Sequence, residues 1–134
     1  MTQANEKSIW TESFIAGADL SAKQYLGMKL SAARTVVTMA ADTDIPCGIL
    51  LNQPKSGQEA LVCVMGRSPV KFGGTVTAGM LIRDNGDGTM VEFAPLTDQE
   101  LFCLGQCSVG GASGEMGEAL ICAANPNKGD DNGA

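Results

Sequence analysis

The chain contains no histidine. That absence removes Ser-His and Cys-His nucleophile pairs and the usual histidine-ligated zinc hydrolase centres together. Basic residues are few. Nine Lys and Arg stand against fifteen Asp and Glu, for a formal charge of −6, and the nine are scattered without a run. A nucleic-acid groove needs clustered cations to displace counterions, so no nucleic-acid partner is expected. Aromatics number six: Trp10, Phe14, Tyr25, Phe72, Phe93 and Phe102. No apolar run approaches membrane-spanning length, and no basic-then-apolar leader precedes residue 20. The chain therefore reads as made and kept in a cytosol, with no membrane partner.

Glycine is what the chain has in excess, with 17 residues placed between short apolar runs. The stretch from Glu59 to Phe93 sets the pattern. Leu61-Val62-Cys63-Val64-Met65 is closed by Gly66. Pro69-Val70-Lys71-Phe72 stops at Gly73-Gly74, and Thr75-Val76-Thr77 leads into Met80-Leu81-Ile82. Asn85-Gly86-Asp87-Gly88 then turns the chain into Met90-Val91-Glu92-Phe93. Short β-rich runs punctuated by glycine predict an all-β fold, a small antiparallel sandwich or barrel. At 134 residues one domain is the natural size.

The remaining runs fit this class. Tyr25 to Leu30 alternates with Leu26, Met28 and Leu30 on one face, and Val36 to Met39 forms the next strand. Pro46 suits a strand entry, and Cys47 to Leu51 reads as central. Ala94 to Glu100 is a connection that can hold one helical turn capped by Thr97 or Asp98. Leu101 to Cys107 and Glu118 to Ala123 are the last strands. Residues 1–13 read as a polar N-terminal arm, 14–124 as the β domain and 125–134 as a frayed polar tail. Glu59-Ala60-Leu61-Val62-Cys63 recurs as Glu118-Ala119-Leu120-Ile121-Cys122, each after a Ser-Gly turn. Either a duplicated strand-turn-strand unit builds two related halves, or the recurrence is chance in a chain rich in Ala, Leu and Gly.

No constellation points to catalysis, and no metal or cofactor is expected. The five cysteines, Cys47, Cys63, Cys103, Cys107 and Cys122, have apolar neighbours and read as buried packing thiols. Cys103 and Cys107 share a strand face but lack two further ligands. Asp84 to Gly88 fails as a calcium loop. With Gly88 at the sixth position, Arg83 and Ala94 fall where carboxylates are needed, so a tight Asn-Gly or Asp-Gly turn is the stronger reading. The glycines from Gly105 to Gly117 are not followed by Gly-Lys-Ser or Gly-Lys-Thr, so they form no phosphate loop.

In order and spacing, a further set of pieces is telling. It comprises Ala16-Gly17-Ala18-Asp19-Leu20-Ser21-Ala22-Lys23-Gln24-Tyr25 with Lys29-Leu30-Ser31, then Gly48 to Gly57, then Val64-Met65-Gly66. Gly73 to Gly79, Asp87-Gly88 and Cys122-Ala123-Ala124-Asn125-Pro126 complete it. Over most of residues 14–126 the chain resembles the capsid decoration, or cement, proteins of tailed bacteriophages. Trp10 and the arm before it lie outside that resemblance.

The resemblance implies a compact β domain without an active site, assembled in the host cytoplasm and added to the outer surface of the virion shell. Its partners would be the major capsid protein, whose subunits it bridges, and other copies of itself, as a trimer at three-fold positions or a dimer at two-fold positions. The alternative is a virion- or cell-surface binding module, for instance for glycans, resting on Trp10 or Tyr25. A cysteine enzyme without histidine is the third and weakest reading. The contact residues expected are those on elements that cannot serve the core. They are Ile9 and Trp10 in the arm, Asn52, Gln53, Pro54 and Lys55 in a turn, and Arg83, Asp84 and Asn85 at a hairpin end.

Overall fold

The computed structural model describes residues 7–94, 97–98, 100–124 and 127–128, with side chains from Trp10 to Ala124 among them. The described chain forms ten strands and no helix. They are β1 (Lys7–Ala16), β2 (Gly27–Ala32), β3 (Thr35–Thr38), β4 (Pro46–Leu50), β5 (Glu59–Lys71), β6 (Leu81–Asp84), β7 (Met90–Glu92), β8 (Phe102–Val109), β9 (Met116–Cys122) and β10 (Asn127–Lys128). The all-β expectation holds. Five strands close a barrel in the order β1-β3-β2-β4-β5, because β5 pairs back onto β1. Its ladders are antiparallel apart from β1–β3, which is parallel through Ile15↔Thr35 and Ala16↔Val36.

A second sheet grows from the same β5, in the order β5-β9-β8-β6-β7. Phe72, the residue after β5, bridges Met90 of β7, and Gly73 N–H donates to Met90 O at 2.9 Å. The far strand of this sheet therefore returns to the end of β5. Cys63 pairs with both Thr11 and Ile49, and Met65 with both Trp10 and Cys122. So β1 lies along one edge of β5, while β4 and then β9 lie along the other.

The side chains of β5 explain how one strand serves both sheets. Ala60, Val62, Val64, Ser68 and Val70 are buried, and Phe72 continues the phase beyond the strand end. Gly66 sits in the same inward phase. The strand therefore does not stop at Gly66, as the sequence punctuation implied. Glycine there marks a bend, with φ of 128°, and small Gly66 and Ser68 leave room where the strand passes from barrel to second sheet. Pro69 is tolerated within the strand. Phe72 N–H donates to Glu115 O, so by alternation the Pro69 nitrogen faces the opposite edge, past Arg67, where described β1 pairing begins. One buried cluster, from Ala16 and Met28 through Ile49 and Val62 to Phe72, Ile82, Leu104 and Ile121, spans both sheets.

Other expectations change. Residues 7–13, read as an arm, belong to β1, so the boundary placed at residue 14 falls within a strand. Trp10, Thr11 and Ser13 are exposed on the solvent side of a barrel strand that is held by its ladder to β5. Residues 1–6 lie outside the described residues, as does most of the expected tail, apart from β10 on β8. Thr75 to Thr77 is not a strand; only Val76 bridges Gly111. The connection after Phe93 closes the single turn expected there, Asp98 N–H donating to Ala94 O at 2.7 Å, and goes no further toward a helix among its described residues; Asp98 Oδ2 accepts from Ala94 N–H at 2.8 Å. Leu30 is exposed rather than packed with Met28, at a register shift between Leu30 and Ala32.

In both hairpins that carry the recurring pentapeptide, a glycine on the first strand abuts a carbonyl on the second. A Cβ at Gly48 would run into Cys63 O, and one at Gly105 into Leu120 O. Gly105→Ala should therefore cost about 3 kcal/mol or more, since backbone cannot yield as a side chain can. Gly114→Ala, where nothing lies within 4 Å and φ is 87°, should cost only about 1–2 kcal/mol for the left-handed backbone. Urea unfolding of the two variants checks the order, and equal losses would contradict the close packing.

Candidate functional site

The residues expected to meet a partner divide into those that build the fold and those that remain available. Asn52 is a builder. Its Nδ2 donates to Glu59 O at 2.9 Å and its Oδ1 accepts from Leu61 N–H at 3.0 Å, clamping the β4–β5 turn. Pro54 is buried, and its carbonyl accepts from Leu20 N–H. Gln53 and Lys55 stand exposed on that locked turn. Gln53 Nε2 donates to Gln24 Oε1 at 3.1 Å, and the Lys55 N–H donates to Gln58 Oε1 at 2.8 Å.

Asp84 faces inward, which corrects the expectation that it presents itself to a partner, while Arg83, half-buried in the opposite phase of β6, is occupied by Asp98 and Asp42. Arg83 Nε lies 3.1 Å from Asp98 Oδ2, and Nη1 donates to the Asp84 carbonyl at 3.1 Å. The Nε contact is close enough for an ion pair but poorly aligned for a hydrogen bond. Asp84 is buried. Its Oδ1 accepts from Gly86 N–H at 2.7 Å and from Gly88 N–H at 3.0 Å. The turn runs from Asn85 to Thr89, closed by Asn85 N–H to Thr89 O, with Gly86 and Gly88 at positive φ as the sequence required.

This turn is a junction between the two sheets. Gly88 O accepts from Gly27 N–H at the start of β2, and a Cβ on Gly88 would come within 2.8 Å of the Leu26 Cβ. Asn85 alone of the three is exposed. Asp84 Oδ2 is buried without a hydrogen-bond partner against Gly27. Burial pushes the Asp84 carboxyl up to about 6, against the pull of the Gly88 and Gly86 amides.

Trp10 is placed outward by a β-bulge. Thr11 pairs with Cys63 but Trp10 pairs with Met65, so Val64 is skipped and the phase of β1 reverses. Phe14 and Ala16, of the same parity, pack inward, while Trp10 is 45% exposed. Its indole N–H donates to Glu12 Oε1 at 2.8 Å. Together with Arg34, that bond holds the Glu12 carboxyl below the usual range. The Ile9 side chain lies outside the described residues. Tyr25 packs against the core, so no second ring is seen to join Trp10 as a sugar platform.

Sequence reasoning missed the outward face of the second sheet. In register, Trp10, Met65 and Cys122 form one row. Arg67, Leu120, Gln106 and Leu81 form the next. Pro69, Glu118 and Val109 follow, and then Lys71 and Met116. Trp10, Leu81, Val109, Met116 and Leu120 are all large, apolar and exposed. The strict alternation of Met116, Glu118, Leu120 and Cys122 was visible in the sequence, but both phases of that strand are apolar, so nothing there chose the buried one. Cys122 is consequently exposed, not packed as expected, while Cys63 and Cys107 are buried. Burial raises the Cys47 thiol to about 11.

No known protein-family model matches the chain, and no curated protein sequence matches it significantly. Among solved structures the fold is similar to the N base of the head fiber protein gp8.5 of bacteriophage phi29. The TM-score is 0.61 at 17% identity, covering 85% of this chain and 94% of that one.

Two outcomes follow for this region. Because the folded-state pKa of Asp84 is raised, its stabilising contribution is complete below the unfolded value near 4 and is lost as pH rises through about 6. Asp84→Asn keeps an oxygen for both amides and cannot ionise. Relative to wild type it should gain about 2 kcal/mol between pH 4 and pH 7, read from urea unfolding at both values; parallel pH profiles would contradict the buried carboxylate. In thiol titration of the folded protein at neutral pH, one group should react fast, and Cys122→Ser should abolish that phase. A fast phase surviving in the variant would place the reactive thiol elsewhere.

Proposed function

We propose that the chain is a structural protein of a phage head, held on the outer surface of the shell, where it bridges major capsid protein subunits and stabilises the expanded form. The observation that carries this reading is the fold likeness to a head-fiber base over nearly the whole of both chains. The sequence resemblance to decoration proteins over residues 14–126 points the same way, as does a chain with no histidine. On this reading the protein has no enzymatic activity and takes no cofactor. Its partners are the major capsid protein and further copies of itself, not nucleic acid or membrane.

The mechanism is linkage. A protein that binds the expanded shell more tightly than the unexpanded one stabilises expansion by its difference in affinity. Many modest contacts on a closed lattice act together. The side chains offered to capsid are those on rigid turns, Gln53 and Lys55 beside the Asn52 clamp, and Asn85 at the sheet junction. A turn already locked by its own hydrogen bonds loses little conformational freedom on docking.

Shells stripped of their surface proteins provide the test. The protein should co-sediment with expanded shells and raise their resistance to heat. The double variant Gln53→Ala, Lys55→Glu should bind about tenfold more weakly while melting like wild type. Shells equally heat-resistant with and without the protein would remove the stabilising role.

A further inference from the structure

We propose that the outward face of the β5-β9-β8-β6 sheet is a self-association surface, on which a second copy of this chain docks face to face about a two-fold axis. This deepens the capsid reading, which gives the chain further copies of itself as partners, by naming the surface they share; its observations stand without a shell. Trp10, Leu81, Val109, Met116 and Leu120 are each between 41% and 52% exposed, and the register places them on one continuous face. With strands about 4.8 Å apart and outward residues about 6.8 Å apart along each strand, the outward positions in these rows cover about 400 Å² in projection. A mainly apolar patch of this size equals the largest found on a typical monomer, and such patches are often functional.

Size and charge together select the occupant. Two such faces supply the apolar centre of an interface approaching half the roughly 800 Å² per partner of a stable complex, and the polar rim supplies the rest. The chain carries −6 overall, so two copies repel unless they meet where charges balance. The charged side chains in these rows are Arg67, Lys71 and Glu118, and Glu12 joins them through its bond from the Trp10 indole, two acids against two bases. Arg67 Nε and Glu118 Oε2 are 3.8 Å apart, a loose pair whose two side chains are each about a third exposed. Drying this pair strengthens its Coulomb attraction at the cost of its hydration. A single patch that is apolar, near neutral and lies on one sheet meets itself most simply by two-fold symmetry, with aligned sheets packing about 10 Å apart.

Sedimentation velocity of the isolated protein, from about 1 to about 200 µM, tests this without any shell. Wild type should pass from one copy to two, and added salt should strengthen the association by screening the like charges. Leu120→Glu should weaken it at least tenfold with an unchanged circular dichroism spectrum and melt. Leu81→Lys should do the same, and it serves if the first variant is misfolded. The proposal is overturned by wild type that stays single throughout, by a plateau other than two copies, by association that weakens with salt, or by folded variants that associate like wild type. Protein that pairs but ignores shells would remove the capsid reading alone; protein that binds shells as single copies would remove the self-association and leave the shell contact standing.

Discussion

Everything in the molecule depends on the inward phase of β5 being kept for its whole length. The strand pairs with β1 and β4 in the barrel and with β9 in the second sheet. A slip of one residue at the crossing would turn Val70 and Phe72 to solvent and leave the second sheet without a core. Gly66 and Ser68 satisfy the constraint by being small. They occupy inward positions where the backbone bends, and neither brings a side chain that must be packed twice. The buried cluster is continuous across the crossing for that reason.

The strands that were legible in the sequence are those with a clear run of branched or apolar residues between turns: Val36 to Thr38 in β3, Ile49 and Leu50 in β4, and most of β8 and β9. What was not legible depends on pairing. The sequence of β1 is polar at half its positions, and its order comes from eight register pairs with β5 that no local pattern encodes. Gly66 reads as punctuation when the neighbouring strands are unknown, and as a bend when they are known. The bulge that turns Trp10 outward depends on Val64 being skipped in the partner strand. The outward apolar face was hidden because periodicity identifies two faces of a strand without saying which one has a partner.

The candidate contact residues show a related ambiguity. A polar residue in a glycine-rich loop serves recognition or locks the loop, and the sequence pattern is the same. Asn52, Arg83 and Asp84 proved to be locks. Asp84 is the costly one, since two amides stabilise one carboxylate oxygen while the other is buried without a partner. The cost is confined to the point where the β6–β7 turn seats against β2, and there it fixes how the second sheet meets the barrel. Gln53, Lys55 and Asn85 are exposed because their neighbours already hold the turns in shape.

The closure of the strands limits how any partner can bind. The β1–β5 ladder closes the barrel, and a bridge from Met90 of β7 to Phe72 ties the far strand of the second sheet back to β5. The part of β1 before Ile15 has no described strand on the side away from β5, and two features blunt it. Register shifts around Trp10 interrupt its regular donors and acceptors, and Arg34 donates to the Ser13 carbonyl while stacking 4.8 Å over Phe14. Bulges and a charged cap are the usual means of discouraging strand addition. Recognition is thereby left to faces and turns. Faces and turns can be placed by a rigid scaffold without reshaping it.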